Sequence, residues 1–308
     1  RLEWLLSWFK DTPTLADSFN QIITWRMGGA RTCFLGDADN LVLKPGFIKK
    51  IIAHAKAAFP ALERFTIYGR TKTAAKLRTP GELAAFRKAG LDRVHYGLES
   101  GSDRVLALVD KGETAQDHID GCRKTKDAGL SCSVYVMPGL GGAALSEEHA
   151  RETARVISEI GPDFVRLRTL EIFVGTGLDG AMERGEFAEC GEEQVAREIR
   201  TLVEEIEADT EILSDSASNL LDVSGRLPGD RAEMLRVIDA YLALSPRKKL
   251  EFSLRSRLGS FLGQYGDLPP DVSGAIGPFV QSGGLDLSAA TDGELVAATR
   301  LIRSKLMP

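Results

Sequence analysis

The chain has 308 residues, of which 43% are hydrophobic, and a formal net charge of -5 from 39 basic and 44 acidic residues. This composition predicts a globular protein with one large domain or two modest ones. Acidic and basic residues are mixed along the sequence, which does not support nucleic-acid binding. Because no apolar run of roughly 18 residues and no signal peptide is present, neither a membrane span nor secretion is indicated, and we expect a cytoplasmic protein.

Short β-rich segments alternate with longer helical ones through most of the chain, which is typical of a parallel sheet with crossover helices. Six strands are predicted, at residues 32–35, 64–68, 93–98, 130–137, 164–170 and 210–213. Helices are predicted at residues 45–58 and from residue 80 to about Gly90. Two more begin at caps, Thr114 and Ser146, and end near Gly129 and Gly161.

The β/α repeat of roughly 30 to 38 residues is normal for a barrel or a doubly wound sheet, and of these we prefer the barrel. We predict an α/β fold, a partial (β/α)6 TIM-like barrel of parallel strands in residues 1–245, for which a segment before Arg1 could supply a first strand. The opening residues, 1–10, form an amphipathic segment typical of the middle of a domain. Residues 246–308 are predicted to be a small, mainly helical appendage, with a solvated basic face that includes Arg257 and a last helix at 292–306 capped by Thr291.

Polar residues stand where several predicted strands end, and the carboxyl ends of parallel strands meet at the edge where ligands bind. Asp37 and Asp39 follow the first strand, where they could bind an ammonium group or form a loop turn or helix cap. Tyr68 ends the second strand. Glu99, followed by Ser100, ends the third, where its carboxylate could accept hydrogen bonds from ribose hydroxyls or cap the next helix.

Two further features lie at later strand ends. The loop PGLGG at residues 138–142 lets a ligand approach the backbone closely, because glycine has no Cβ. Arg166 and Arg168 share one face of the fifth strand, where they could bind a ligand carboxylate or form internal ion pairs with Glu99 or Glu171.

The histidines and cysteines indicate no metal site. His95 is expected to pack within its strand, and the histidines form no cluster. The cysteines lack the close spacing of zinc or iron–sulfur sites, so we predict structural roles and no metal ligands in this chain for Cys33, Cys122, Cys132 and Cys190.

Six segments occur in an informative order between residues of about 30 and 240: FLGDADNLVL from Phe34, YGLESGSDRVLALVDKG from Tyr96, VMPGLGG from Val136, SEEHARETARVISEIGPDFVRLRTL from Ser146, VGTGL from Val174 and SASNLLDVSGRLPGD from Ser216. In this order they resemble the radical S-adenosylmethionine (radical SAM) superfamily, in the branch near the oxygen-independent coproporphyrinogen oxidases. The resemblance implies a partial (β/α)6 barrel with the site inside its open top.

The resemblance also implies roles for the polar strand ends. Gly36, Asp37 and Asp39 would stand at the family's Gly-Gly-Glu position, which contacts the methionine amino group of S-adenosylmethionine. Here Asp-Ala-Asp replaces Gly-Glu, a departure that leaves the geometry of that contact open. Glu99 and Ser100 would lie on the strand that holds the ribose. The same cavity would be lined by further candidates: Tyr68, Ser133, Tyr135 and Arg168.

The largest departure from the family concerns its [4Fe–4S] cluster. The family binds this cluster through a CxxxCxxC loop, and the sequence contains no such motif. We expect the cluster ligands in a segment before Arg1, in preference to a degenerate enzyme. The resemblance implies that the cluster, supplied with electrons by a reductant, cleaves S-adenosylmethionine to a 5′-deoxyadenosyl radical. That radical would abstract hydrogen from an unknown small-molecule or peptide substrate.

Two alternatives remain open from the sequence. The chain could be a cluster-free barrel that binds a nucleoside or S-adenosylmethionine as a sensor or scaffold. A conventional barrel lyase that uses Lys111 ranks last, because Lys111 follows the helix that begins at Asp103 and is expected to lie far from the strand ends.

Overall fold

The structure, a computed structural model, describes residues 13–36, 38–281 and 284–306. Asp37 and the amphipathic segment at residues 1–10 lie outside the described residues. The helices are α1 Pro13–Met27, α2 Pro45–Ala58, α3 Pro80–Ala89, α4 Asp103–Leu108, α5 Ala115–Asp127, α6 Gly142–Ile160, α7 Gly177–Glu183, α8 Glu192–Glu205, α9 Arg231–Leu242, α10 Pro246–Tyr265, α11 Pro270–Ile276 and α12 Asp292–Arg303. Shorter turns are the 3₁₀ helices Asn40–Val42 and Gly277–Phe279 and the π-helix Thr73–Leu77.

The main sheet is mostly parallel and runs in chain order. Its strands are β1 Thr32–Leu35, β2 Arg64–Gly69, β3 Arg93–Glu99, β4 Ser131–Val136, β5 Phe164–Leu167, β6 Thr210–Leu213 and β7 Gly225–Leu227. Strands β1 to β6 pair in parallel, and β7 pairs antiparallel with β6. A second, two-stranded sheet pairs β8 Val280–Gln281 with β9 Gly284–Leu285. This sheet and its crossover helices confirm the predicted partial TIM-like barrel.

The observed bounds of β2, β3 and β4 lie within one residue of the predicted ones, and two larger differences remain. Strand β5 ends at Leu167, not at residue 170, and beyond it the amide of Thr169 donates to Oδ1 of Asn219 at 3.0 Å instead of to a neighbouring strand. Strand β7 was not predicted. Its three residues, at the antiparallel edge, are too few to show an alternating pattern.

The helix starts follow the sequence signals except in α6. Thr114 and Thr291 cap α5 and α12 through reciprocal capping boxes. Helix α6, however, begins at Gly142, so Ser146 lies inside it and does not cap it. The Ser146 hydroxyl instead donates to Oε1 of Glu198 at 2.6 Å. Helix α12 ends at Arg303, before the predicted residue 306.

The two faces of the sheet have opposite character, because successive side chains of a strand point to opposite sides. The outer face of β3 carries Val94, Tyr96 and Leu98, which are fully buried in the apolar core beneath the helices. The inner face carries His95 and Glu99. The fold therefore places polar groups inside the open barrel.

The C-terminal helices enclose a second apolar cluster, formed by side chains between Leu254 and Leu306. The division at residue 245 stays a prediction. Arg257 corrects the expected solvated basic face: its side chain is 1% exposed, and its guanidinium donates to the carbonyl oxygens of Ala217 and Ser218 and to Glu192. No helix among the described residues combines the length and apolar character needed to cross a bilayer.

Candidate functional site

A cavity of about 1190 Å³ lies at the carboxyl ends of the barrel strands. We call it the strand-end cavity. Five of the residues predicted from the sequence line it: Asp39, Tyr68, Glu99, Tyr135 and Arg168. Arg70, Lys72 and Thr73, which were not predicted, also line it, as does Lys111. A site at this edge is where parallel barrels bind their ligands.

Glu99 is held in the cavity by an unusual backbone. The register between β3 and β4 shifts at a bulge between Gly97 and Glu99, and Glu99 has a φ of 62°, in the left-handed region. A non-glycine residue pays a steric cost there, and such strain clusters at functional sites. Gly97 makes room for the carboxylate, since a Cβ on it would stand 2.3 Å from Oε1 of Glu99.

Lys111 forms an ion pair with the Glu99 carboxylate. This contact corrects the expectation that the lysine lies far from the strand ends. Its Nζ stands 3.2 Å from Oε1 of Glu99. The loop after α4 folds back over the cavity, because Arg70 donates to the carbonyl oxygen of Lys111 and Lys72 to that of Gly112. Burial raises the pKa of Glu99, and the Lys111 ammonium opposes that rise.

Asp39 acts as a cap, one of the two roles left open by the sequence. Its Oδ1 accepts hydrogen bonds from the amides of Leu41, at 3.1 Å, and Arg70, at 3.0 Å. The Thr73 hydroxyl donates to Oδ2. These bonds tie the loop after β1 to the loop after β2 and leave little of the carboxylate free for a ligand.

The other predicted site residues have different surroundings. Gly36 is exposed and is not part of the described lining of the strand-end cavity. Ser100 is fully buried, and its hydroxyl lies 2.8 Å from Nδ1 of His149. Ser133 is also fully buried, and its Oγ has no partner among the described residues. Asp37 lies outside the described residues. A ligand role for these four stays a prediction.

Aromatic rings cover the inner face next to the cavity. The ring centroids of Phe34 and Tyr68 lie 4.6 Å apart, and those of His95 and Tyr135 lie 5.7 Å apart. Burial, reinforced by Arg166 and other arginines, lowers the pKa of His95 to about 3. Burial and a hydrogen bond with Tyr68 raise the pKa of Tyr135 to about 12. This aromatic floor is therefore uncharged at neutral pH.

Arg166 and Arg168 both pair with Asp215, which corrects the alternative of ion pairs with Glu99 or Glu171. Nη1 of Arg166 lies 3.3 Å from Oδ2 of Asp215, and Nη1 of Arg168 lies 3.0 Å from Oδ1. Glu171 pairs instead with Arg303 of α12. Asp215 follows β6 as Glu99 ends β3, so the rule about strand ends could have found it.

A buried network supports the glycine-rich loop on the outer side of the site. The Glu198 carboxylate is 2% exposed and accepts from the Gly139 amide and the Ser146 hydroxyl, each at 2.6 Å. His149 lies 4.0 Å from it. Nε2 of His149 faces the Met137 carbonyl oxygen at 3.1 Å, which can only accept, so Nε2 carries the proton. Burial raises the pKa of Glu198 to about 7 and lowers that of His149 to about 4.

These two pKa values predict opposing effects of pH on stability. Glu198 binds its proton more tightly in the folded state, so its contribution is complete below pH 4.5 and is lost as the pH rises through about 7. His149 binds its proton less tightly, so its contribution is present above about pH 6.5 and is lost as the pH falls through about 4. Between these limits the two slopes largely cancel.

Glu198→Gln should therefore remove the Glu198 slope and leave the opposing slope of His149 uncompensated. Relative to the unmodified chain, we expect the variant's free energy of unfolding to rise by about 2 to 3 kcal/mol between pH 5 and pH 8. Urea unfolding of both proteins at the two pH values measures this difference, in which groups common to both cancel. A pH-independent difference between them would contradict the assignment.

The cysteines do not fit an iron–sulfur cluster. Cys122, Cys132 and Cys190 are buried and Cys33 is partly buried, all four as free thiols. Burial raises the pKa of Cys122 and that of Cys190, the latter to about 12, which disfavours the thiolates that a cluster needs. Within residues 13–36, 38–281 and 284–306, no three His, Cys, Asp or Glu side chains are placed to hold a metal ion.

The strand ends of this open parallel barrel carry a carboxylate, arginines and an uncharged aromatic floor. These features are typical of barrel proteins that bind organic ligands at the open end of the barrel. Residues 7–157 match the family model described as the radical SAM superfamily. The match spans 151 of the 308 residues and supports membership of that superfamily.

Comparisons with known proteins give partial matches. The chain is 29% identical over 119 residues to the tRNA uridine(34) acetyltransferase of Methanocaldococcus infernus, which is 38% of this chain and 22% of that protein. The corresponding protein of Methanocaldococcus jannaschii is 29% identical over 116 residues, 37% of this chain and 21% of that protein. The chain therefore spans about a fifth of the length of the curated relatives that it matches.

Three solved structures are similar at low sequence identity. The archaeal Methanocaldococcus infernus Elp3 with an N-terminal deletion has a TM-score of 0.49 and 21% identity, over 78% of this chain and 60% of that chain. Methylornithine synthase has a TM-score of 0.44 and 16% identity, over 67% of this chain and 54% of that chain. For coproporphyrinogen III oxidase from Escherichia coli they are 0.45 and 11%, over 89% and 77%.

Proposed function

We propose that this chain is the S-adenosylmethionine-binding barrel of a radical SAM enzyme that acts on a small-molecule or peptide substrate. The observation that carries the proposal is the Glu99 carboxylate, held in the strand-end cavity by a left-handed backbone beside Gly97. A buried carboxylate accepts two charge-assisted hydrogen bonds well, and the two hydroxyls of a ribose supply such a pair of donors. Membership of the superfamily names the cofactor that carries this ribose.

The remaining lining suits the other parts of the nucleotide. The uncharged aromatic side chains of Tyr68 and Tyr135 offer faces to an adenine or a sulfonium group. The Arg168 guanidinium, 5.5 Å from the Tyr135 ring centroid, lines the same cavity. Lys111 must leave Glu99 or share it with the ribose when the nucleotide binds.

The chain's own residues do not support the reductive step. S-Adenosylmethionine cleavage in this superfamily uses a cluster held by thiolates, and the four dispersed cysteines, three of them buried and one partly buried, do not supply them. We therefore expect residues 1–308, treated with iron and sulfide under anaerobic conditions and then supplied with S-adenosylmethionine and a reductant, to form no 5′-deoxyadenosine. We propose that the ligands lie in polypeptide outside this sequence.

Titration calorimetry of the 308-residue chain with S-adenosylmethionine tests the nucleotide site. Glu99→Gln should weaken binding by roughly tenfold to a hundredfold, since hydrogen bonds to a charged group are worth about 1.5 to 3 kcal/mol. Gly97→Ala, whose Cβ displaces the same carboxylate, should weaken binding in the same direction. Glu233→Gln on the exposed face of α9 is the matched control and should leave affinity unchanged. Full affinity in Glu99→Gln would remove Glu99 from the site.

A second candidate is a cluster-free barrel that binds S-adenosylmethionine or a nucleoside as a sensor or scaffold. The buried, dispersed cysteines favour it. It predicts the same binding without turnover. If the native gene product is longer than this sequence, its anaerobic reconstitution separates the two candidates. Iron near four per chain together with 5′-deoxyadenosine supports the enzyme. Absence of both the iron and the 5′-deoxyadenosine supports the scaffold.

The names of the partly matching relatives suggest tRNA as a further substrate. The net charge of -5 and the mixed charges of this chain do not favour a nucleic-acid surface, so we keep the proposal to a small molecule or peptide.

A further inference from the structure

A second cavity, of about 580 Å³, adjoins the strand-end cavity. We call it the serine-lined cavity. The loop at residues 214–222 forms one wall, and Ser256, Ser260 and Gln264 of α10 form another. These α10 positions are spaced four residues apart, so they share one face of the helix. Six of the thirteen lining residues carry a hydroxyl or an amide side chain and three more are charged, which suits a polar ligand.

Arg168 lines both cavities, so a ligand in the serine-lined cavity is a direct neighbour of one in the strand-end cavity. A radical formed on one ligand can abstract hydrogen only from a molecule in contact with it, because the reacting atoms must approach to about 3 to 3.5 Å. Because the two cavities share Arg168, the serine-lined cavity lies beside the strand-end cavity, as a pocket for the second molecule must.

The wall between the cavities has an excess of positive charge. Two guanidiniums, Arg166 and Arg168, share the single Asp215 carboxylate. The arginine side chains are 19% and 22% exposed, whereas that of Asp215 is 54% exposed. Nε of Arg166 is buried and has no hydrogen-bond partner among the described residues. Asp215 is thus the most exposed of the three side chains, and a ligand anion could take its place beside the two more buried arginines.

We propose that the serine-lined cavity is the substrate pocket, and that its substrate carries an anionic group, a carboxylate or a phosphate, which takes the place of Asp215 on Arg166 and Arg168. This inference rests on the proposed function for its description as a substrate. Arginine pairs bind both kinds of anion through parallel hydrogen bonds. The hydroxyl and amide groups of the walls then bind the polar remainder of the molecule.

The test measures binding of inorganic phosphate, acetate and glycerol to the 308-residue chain by titration calorimetry at low ionic strength. Asp215→Asn removes the competing charge and should tighten anion binding about tenfold, whereas Arg168→Gln should weaken it about tenfold or more. Asp222→Asn is the matched control: it removes the same charge from the same lining, but Asp222 bonds to Ser224 and not to the arginines. Its phosphate affinity should stay within about twofold of the unmodified chain.

The outcomes separate this inference from the proposed function. Tighter phosphate or acetate binding in Asp215→Asn, with S-adenosylmethionine affinity unchanged, supports the pocket, and the better anion identifies the group. Equal gains in Asp215→Asn and Asp222→Asn, equally tight glycerol binding, or displacement of phosphate by S-adenosylmethionine would each overturn it. If the unmodified chain binds phosphate or acetate as expected but does not bind S-adenosylmethionine, the result counts against the proposed function and not against the pocket.

Discussion

Gly101→Ala is expected to lower the free energy of unfolding by about 3 kcal/mol or more, because overpacking a rigid contact is costly. A Cβ on Gly101 would stand 2.3 Å from the carbonyl oxygen of Glu152 and 2.7 Å from Cα of Thr153. Both atoms belong to the backbone of α6, which cannot turn aside as a side chain could. The Gly101 amide also donates to the Thr153 hydroxyl at 2.9 Å, so separation of the two segments would break this bond.

The same substitution at another glycine provides the control. Gly259 lies on the exposed side of α10, and a Cβ there would meet no atom within 4 Å. Gly259→Ala should raise the free energy of unfolding by about 0.5 to 1 kcal/mol, the ordinary helix preference of alanine. Urea unfolding of the two variants should therefore move in opposite directions. Similar stability of Gly101→Ala and the unmodified chain would show that α6 yields at this contact.

The sequence predicted the sheet well because strands of this barrel carry local signals. In β6 the buried Thr210 and Ile212 alternate with half-buried residues, and its bounds match the predicted 210–213; those of β1 match the predicted 32–35. The α6 start shows where local signals mislead. Ser146 followed by two glutamates resembles a cap, but its hydroxyl bonds to Glu198, 52 positions later in the chain. Such a partner leaves no local trace.

The sequence predicted which site residues lie at the strand ends, but it did not predict which of their side chains contact one another. Tyr68, Glu99 and Arg168 were expected at strand ends, and the structure brings them to one cavity. Lys111 was missed because its approach to Glu99 depends on the fold of the loop after α4, which long-range bonds from Arg70 and Lys72 hold. The left-handed Glu99 backbone was likewise not predictable, since glutamate carries no preference for that conformation.

Arg257→Ala is expected to lower the free energy of unfolding by about 3 to 5 kcal/mol, as removal of one partner from a buried ion pair does. The guanidinium donates to Ser218 O at 2.5 Å and to Oε1 of Glu192 at 3.3 Å. Its loss leaves the carbonyl groups without a donor and Glu192 without its counter-charge. Because Glu192 is 23% exposed and lies in the first turn of α8, where the helix dipole favours an acid, the lower end of that range is expected.

Urea unfolding of three further variants tests the cause. Arg255→Ala, two positions away on the exposed surface of α10, should change stability by less than about 1 kcal/mol. A double-mutant cycle with Glu192→Ala should give a coupling of about 1 to 3 kcal/mol, because the second substitution removes the charge that the first leaves unpaired. Additive effects in the cycle would assign the loss to the carbonyl bonds alone.

The same substitution should also loosen the wall of the serine-lined cavity. Arg257 fixes the carbonyl groups of Ala217 and Ser218, in the loop that carries Asp215, to α10. Amide hydrogen exchange in residues 214–222 should accelerate in Arg257→Ala, while exchange in the β3 ladder stays slow. If the loop is unaffected, Asp215 is positioned by Arg166 and Arg168 alone. If it is released, the C-terminal helices set the geometry of the anion-binding wall, which gives them a functional role that the sequence did not indicate.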